Sequence, residues 1–254
     1  MKTSREHDGV RLEPDAIIEA LVEMRFETPE LPEITVGRLS DADFWSEFHQ
    51  SRLPVADIPQ PIRDLDPALR YQPVIELSRN DGLRAAKIGG KVLSYHVTQT
   101  YPGWDIFRSE VADVVAHIVN KMRRLQFIRL GLRYINVFVP EKHGAVAIED
   151  TNLTIKLGQT SLRSPVNLNY SKNIDGSTVG VRIATPGFVG GPLPPNFSLL
   201  CDIDVYTAEG FSTSDIDLVL RWIDRAHEVE KLEFFRLLPP KIVSRLTAAE
   251  QRRS

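Results

Sequence analysis

Residues 16–27 read AIIEALVEMRFE, and the apolar residues in this stretch fit two different periodicities. With a period of two, the apolar residues form one face of a half-buried strand. A helical period leaves Val22 and Phe26 outside the apolar stripe, and both residues favour strands. Prolines at 29 and 32 then interrupt regular structure. The stretch therefore predicts a strand whose polar face carries three charged residues, Glu19, Glu23 and Arg25.

The two halves of the chain show the same order of predicted strands, hairpin and helix. In each half a long strand precedes a hairpin with an Asp-Gly turn, at 81–82 and 175–176, and a third strand and an amphipathic helix follow. This recurrence indicates either an internal duplication or simply a common arrangement. It predicts an α+β fold of two tandem strand–hairpin–strand–helix modules with mostly antiparallel sheets, covering residues 1–125 and 126–254.

The apolar stripes place the two long helices at 105–122 and 214–238, the second capped by Ser214. Another capping-box pattern predicts a short helix in DADFWSEFHQ, residues 41–50. The proline-rich segment from 54 to 73 predicts an extended connector, because proline removes a backbone donor.

A glycine- and proline-rich loop spans residues 186–196. Its apolar side chains predict either a local plug packed under the loop or an exposed anchor for a partner. The three residues concerned are Phe188, Val189 and Leu193.

Composition narrows the function classes. Hydrophobic residues make up 42% of the 254 residues and the net charge is −3, without the basic excess of a dedicated duplex-DNA binder. The first fifteen residues contain no apolar core of a signal peptide, and no window is apolar enough for a membrane span. We therefore expect a cytoplasmic protein with no membrane contact.

Motifs for common cofactors and nucleophiles are absent from the sequence. It contains no GxxxxGK[ST], GxGxxG, HExxH, CxxC or GxSxG pattern, and these motifs mark phosphate-binding loops, metal sites and nucleophile elbows. The only cysteine, Cys201, lies among apolar residues and is predicted to be a buried, inert thiol. We therefore predict no cofactor, no metal ion and no catalytic residue.

Asp202-Ile-Asp204 is the strongest local signal for a site. Residues two apart on a strand point to the same side, so both carboxylates face one surface and could hold Mg²⁺ for phosphoryl or nucleotidyl transfer. The alternative is that they pair with cations on neighbouring strands. If these strands are neighbours, one polar sheet face forms a candidate binding surface of six residues: Glu19, Glu23, Arg25, Arg133, Asp202 and Asp204.

A nucleic-acid interface is the third possibility. Arg123 and Arg124 lie in a basic cluster at a helix end, and exposed aromatics on a sheet can stack bases. The candidate rings are Tyr95, Tyr134 and Tyr206, although tyrosines on half-buried strands more often belong to the core.

Four segments occur in an order that resembles a known family. They are AIIEALVEMRFE, LGLRYINVF, LLCDIDVY and LRWIDRAHEVEKLEFFRLL. The chain resembles an uncharacterised, sporadically distributed prokaryotic family of about this length. The resemblance covers nearly the whole chain, although Asp15-Ala16-Ile17 replaces the proline usual near the start. Its motif positions would be Glu19, Arg25, Arg133, Asn136, Asp202, Asp204, Asp224 and His227.

The resemblance implies no activity, and its patchy distribution suggests an accessory gene in a defence or toxin–antitoxin setting. We predict a non-catalytic cytoplasmic protein that binds another protein, or itself as a homodimer. An enzymatic role stays open but is less favoured. The alternatives are a Mg-dependent phosphoryl- or nucleotidyl-transfer enzyme using Asp202 and Asp204, and a binder of RNA or single-stranded nucleic acid.

Overall fold

The computed structural model describes residues 12–144, 146–163, 165–190 and 193–247. Within these residues the strands are β1 (Ile17–Glu27), β2 (Phe48–Arg52), β3 (Ile75–Arg79), β4 (Arg84–Gly89), β5 (Val92–Thr98), β6 (Gln126–Phe138), β7 (Ile155–Leu157), β8 (Thr160–Leu162), β9 (Asn167–Ile174), β10 (Ser177–Ala184) and β11 (Leu199–Thr207). The α-helices are α1 (Pro32–Leu39), α2 (Gln60–Leu65), α3 (Trp104–Lys121), α4 (Pro140–His143), α5 (Ile216–Leu237) and α6 (Pro240–Thr247).

The strands form a nine-stranded sheet in the order β2-β3-β4-β5-β1-β6-β11-β10-β9, and β7 pairs separately with β8. The pairings from β2 through β5 to β1, and between β9 and β10, are antiparallel. Helices and a mostly antiparallel sheet confirm the predicted α+β class. The internal duplication stays a prediction.

The chain divides into two compact units. The N-terminal unit contains residues 19–132 and 206–225, and the C-terminal unit contains the described residues of 12–18, 133–205 and 226–247. Each unit therefore includes residues from both sides of position 125, and the division into modules at that position stays a prediction.

In the N-terminal unit, the opening stretch is the strand that its alternation predicted. Ala20, Val22, Met24 and Phe26 of β1 are fully buried, which fits a period of two. On β5, Tyr95 faces the covering helix α3, with its ring centroid 6.5 Å from that of Phe107. The alternate residues of these strands therefore lie on the opposite side of the sheet, which we call the polar face.

In the C-terminal unit, α5 covers the sheet. Tyr134 and Phe138 of β6 contact His227 and Phe234 of α5, with ring centroids 5.9 and 6.3 Å apart. Cys201 is buried and is not part of a disulfide, and burial raises the pKa of its thiol. The predicted burial of this cysteine is confirmed, and its inertness stays a prediction.

Three local predictions are wrong. The segment 54–73, predicted to be an extended connector, contains the helix α2. Residues 42–47 form turns and then β2 begins, so the helix predicted over 41–50 is absent. Helices α1 and α6 were not predicted. Each begins at a proline, which is tolerated there because the N–H of the first helical residue has no partner within the helix. Asp215, not Ser214, caps α5 by accepting from the Asp217 and Leu218 amides, while the Ser214 hydroxyl donates to the Leu125 carbonyl.

The described part of the loop at 186–196 favours the plug. Val189 and Leu193 pack against an apolar cluster in the same unit, formed by Val137, Val139, Ala184 and Leu200. Phe188 remains 47% exposed. Residues 191 and 192 lie outside the described residues.

Candidate functional site

The six predicted site residues lie on β1, β6 and β11, and the two units hold three each. Glu19, Glu23 and Arg25 belong to the N-terminal unit, and Arg133, Asp202 and Asp204 belong to the C-terminal unit. Within the units the structure brings together Glu23 with Arg25 and Arg133 with Asp202. Glu19 instead contacts a histidine that the sequence did not single out.

Glu23 is the centre of a charged cluster in the N-terminal unit. Its Oε1 accepts from Arg25 Nε at 2.8 Å and from Arg129 Nη1 at 2.7 Å. Each guanidinium also lies over an aromatic ring, Arg25 over Tyr71 at 4.8 Å and Arg129 over Tyr206 at 4.6 Å. Because each arginine both binds Glu23 and stacks on a tyrosine ring, the two guanidinium groups are held in fixed positions.

Glu19, His96 and Ser94 form a hydrogen-bonded series on the same face. Glu19 Oε1 lies 2.7 Å from His96 Nδ1, and His96 Nε2 lies 2.8 Å from Ser94 Oγ. Ser94 and His96 are two apart on β5 and therefore point the same way. When Nδ1 donates to the carboxylate, Nε2 is left to accept the serine proton.

In the C-terminal unit, Arg133 binds Asp202 through two parallel hydrogen bonds. Arg133 Nε donates to Oδ1 at 2.7 Å and Nη2 donates to Oδ2 at 2.6 Å. The Asp202 side chain is only 9% exposed, whereas that of Arg133 is 40% exposed. This bidentate geometry agrees with the sequence prediction that Asp202 pairs with a cation on another strand.

A shallow polar groove of about 540 Å³ extends from this ion pair. Its lining belongs wholly to the C-terminal unit and includes Arg133, Asp202, Asp204, Arg182, Asn169 and Ser171. The last two belong to β9, so the groove reaches the final strand of the sheet. The uncharged amide of Asn169 and the hydroxyl of Ser171 line that end of the groove, and charged side chains line the other end.

β9 leaves a backbone edge unpaired by any strand in the part of the chain that the structure describes. The Thr185 amide donates to the Val166 carbonyl at 2.9 Å, and these residues are directly opposite in the β9–β10 register. Because hydrogen-bonded pairs alternate along an antiparallel ladder, the even-numbered residues of β9 bond to β10. The N–H and C=O groups of Asn167, Asn169, Ser171 and Asn173 therefore point away from the sheet.

The geometry gives little support to a metal at Asp202. Both oxygens of Asp202 already accept from Arg133. Among the described residues, no group of three or more histidine, cysteine, aspartate or glutamate side chains is placed to hold a metal ion.

The aromatic surface proposed for base stacking is largely buried. Tyr95 and Tyr134 are 5% and 1% exposed, and Tyr206 lies under Arg129. A separate cavity of about 610 Å³ in the N-terminal unit is lined by Arg38, Arg123 and Arg124, by Glu30, which pairs with Arg38 at 2.9 Å, and by apolar residues. It is basic, but none of the three tyrosines lines it.

Sequence reasoning missed Ser94 and His96. The letters S-Y-H place them on one side of any strand, which is a detectable signal. Their link to Glu19 depends on the β1–β5 register, in which Leu21 lies opposite His96. That register is a long-range property that the sequence pattern did not reveal.

The chain matches no protein-family model, and a search of curated proteins gives no match. The resemblance to a prokaryotic family therefore stays a prediction. None of the helices within the described residues is both long and apolar enough to cross a membrane.

Proposed function

We propose that this protein binds another polypeptide by adding it as a strand to the free edge of β9. The observation that carries the proposal is the edge itself, with four residues whose backbone groups point outward. Strand addition uses main-chain hydrogen bonds for affinity and side-chain contacts for specificity. A polypeptide is the partner class that supplies a matching row of donors and acceptors.

The side chains of β9 support docking rather than protection of the edge. Natural edges are often blocked by charges or prolines, but β9 reads NLNYSKNI and contains neither proline nor acid. Its one charge, Lys172, is bound to Glu233 on α5 at 2.5 Å. The neighbouring groove is lined by the charged side chains of Arg182 and Asp204.

A second copy of the chain is one compatible partner. Antiparallel pairing of two β9 strands about Ser171 places Leu168 opposite Ile174 and Asn169 opposite Asn173. Apolar residues then meet on one face and amides on the other, with no like charges directly opposite. A homodimer and a separate protein both fit this edge, and the accessory setting and the cytoplasmic location remain parts of the proposal.

Two substitutions at one position test the proposal. Ser171→Pro removes an outward N–H but no bond to β10, and proline is tolerated on strand edges in this orientation. Ser171→Ala removes the same side chain and keeps the N–H. We expect a dimer seen by sedimentation, or a partner co-purified in stoichiometric amount, to persist with Ser171→Ala and to be lost with Ser171→Pro.

Melting temperature serves as the folding control for both variants. If Ser171→Pro folds and retains the same assembly as the wild type, binding does not use the β9 edge and the proposal fails. If the wild type sediments as a monomer and retains no stoichiometric protein, the proposal also fails.

A further inference from the structure

We propose that Ser94 is a nucleophile activated by His96 and Glu19, and that the N-terminal unit cleaves small carboxylic esters. This activity goes beyond the binding function and uses a different unit. The observation is the order of atoms, carboxylate to Nδ1 and Nε2 to hydroxyl, at 2.7 and 2.8 Å. A catalytic triad is recognised by its geometry rather than by the order of its residues in the sequence. It consists of a nucleophile, a base within hydrogen-bond reach and a third group that orients the base.

The roles of the three residues follow from the bonds. Glu19 accepts from Nδ1–H and so keeps the lone pair of Nε2 directed at Ser94. His96 is 6% exposed, which holds its ring in one position. Glu19 acts through His96 and is therefore a positioning residue, whereas Ser94 and His96 are the catalytic residues.

Oxyanion stabilisation must come from a side chain. β5 lies between β4 and β1, and the ladders on both sides use its backbone amides. Lys87 lies directly opposite Ser94 on β4. Its Nζ is 3.5 Å from Glu76 and its side chain is 34% exposed, so it has donors left for a developing negative charge.

The side chains beside Ser94 on the two neighbouring strands are partly exposed. Ser94 itself is 7% exposed, and its register neighbours on either side are Lys87 and Glu23. These two side chains are 34% and 27% exposed. The hydroxyl therefore lies on the polar face, between half-exposed side chains, and not in the apolar core.

The reaction balances with water as the only co-reactant. Ser94 Oγ bonds to the ester carbonyl carbon as its proton moves to His96 Nε2. The tetrahedral intermediate then collapses, and the alcohol leaves with that proton. Water attacks the acyl-serine by the reverse route, which releases the acid and restores Ser94.

A fluorophosphonate tests the nucleophile in the full-length protein. We expect one adduct, located at Ser94 by mass spectrometry, and a rate of labelling reduced at least a hundredfold, within the range of general-base catalysis, in His96→Gln. Ser78→Ala is the matched control, because Ser78 lies on β3, on the same face of the sheet as Ser94, but bonds to a carboxylate, Glu76, at 2.9 Å. Its labelling should equal that of the wild type.

The role of Glu19 has its own test. We expect Glu19→Gln to slow both labelling and hydrolysis of p-nitrophenyl acetate, and Glu19→Asp to restore part of the rate at an unchanged melting temperature. The proposal is overturned if wild-type protein gains no Ser94 adduct under conditions that fully label a known serine esterase. It is equally overturned if His96→Gln folds and is labelled at the wild-type rate. Neither result bears on strand addition at β9.

Discussion

Each of the two hairpins, β3–β4 and β9–β10, carries one cation that pairs with a glutamate on the helix covering it. The two ion pairs differ in which partner is buried. In the first hairpin, Arg84 is 7% exposed and its partner Glu110 on α3 is 25% exposed. In the second, Lys172 is 35% exposed and Glu233 on α5 is 4% exposed. The cation is therefore the buried partner in one hairpin and the acid is the buried partner in the other.

This difference matters because removing the exposed partner of a buried charge leaves that charge uncompensated, which is strongly destabilising. In the first pair, the Glu110 carboxylate accepts three hydrogen bonds. Two come from Arg84, at 2.8 and 3.0 Å, and one comes from the Tyr95 hydroxyl at 3.2 Å. Glu233 in the second pair also binds Arg236 at 2.6 Å. Another acid of α5, Glu230, is buried without a cation among its hydrogen-bond partners in the described structure.

The largest expected effect concerns Glu230, which is 5% exposed. Burial raises its pKa to about 8, with Asp15 adding to the shift and Lys231 opposing it. Its folded-state pKa lies above the unfolded value, so its contribution to stability is full below about pH 4 and is lost as pH rises through 8. The loss is on the order of 5 kcal/mol.

Glu230→Gln keeps the shape but cannot ionise. We expect its melting temperature to match the wild type near pH 4 and to exceed it increasingly between pH 5 and 9. Thermal denaturation across this range measures the effect, and parallel curves for the two proteins would show that Glu230 ionises as freely in the folded state as in the unfolded state.

The next largest effect tests the first ion pair. Glu110→Gln leaves the buried Arg84 without a charged partner, and we expect a loss of about 2 kcal/mol in the free energy of unfolding. Asp113→Asn, one turn later on the same helix and exposed, is the matched control and should change stability by less than about 0.5 kcal/mol. Urea denaturation compares the two variants, and equal losses would contradict the assigned role of Glu110.

Removing the lysine tests the second pair. Lys172→Met leaves Glu233 with Arg236 alone, so we expect a smaller loss of about 1–2 kcal/mol. Lys87→Met in the first hairpin is the control, because its bond to Glu76 is 3.5 Å long and both side chains are about one-third exposed, which is worth about 0–1 kcal/mol. The comparison fails if Lys87→Met is the more damaging change.

The smallest effect separates the two Asp-Gly turns. Asp175 and Gly176 both have positive φ, +48° and +80°, as the two-residue turn between β9 and β10 requires. Asp81 instead lies in a four-residue connection, bonds to Arg79 and accepts from the Leu83 amide. We expect Asp81→Asn to lower the melting temperature more than Asp175→Asn does, with the difference shrinking in 1 M salt.

The two Asp-Gly turns show what a local sequence pattern can and cannot predict about a hairpin. Asp-Gly predicted both hairpins correctly, because glycine tolerates positive φ wherever a chain reverses. The number of residues in each loop differs, because the register of the flanking strands fixes where pairing ends. Similarly, alternation predicted β1 correctly, whereas the pattern over 41–50 suggested a helix in a segment that pairs with β3 from residue 48 onward.

The candidate site was predictable in part. The charges of Glu23, Arg25, Arg133 and Asp202 were identified from alternation, since a period of two assigns each residue to a face. Arg133 and Asp202 pair with each other, as the pattern indicated, but the contacts of Arg129 with Glu23 and of His96 with Glu19 were not predicted, because those partners come from strands far away in the sequence. The β9 edge was invisible for the same reason, since a strand is an edge only if no other segment pairs with it.

By itself, the sequence determined the α+β class, most of the strands and long helices, both hairpin turns and the polar side of each strand. These properties depend on residues within a few positions of one another, where periodicity and backbone preference act directly. The tertiary structure alone decided which strands are neighbours, which charges are buried and that Ser94, His96 and Glu19 meet. Those properties arise from long-range pairing, because one choice of register brings together side chains that lie 77 positions apart, as Glu19 and His96 do.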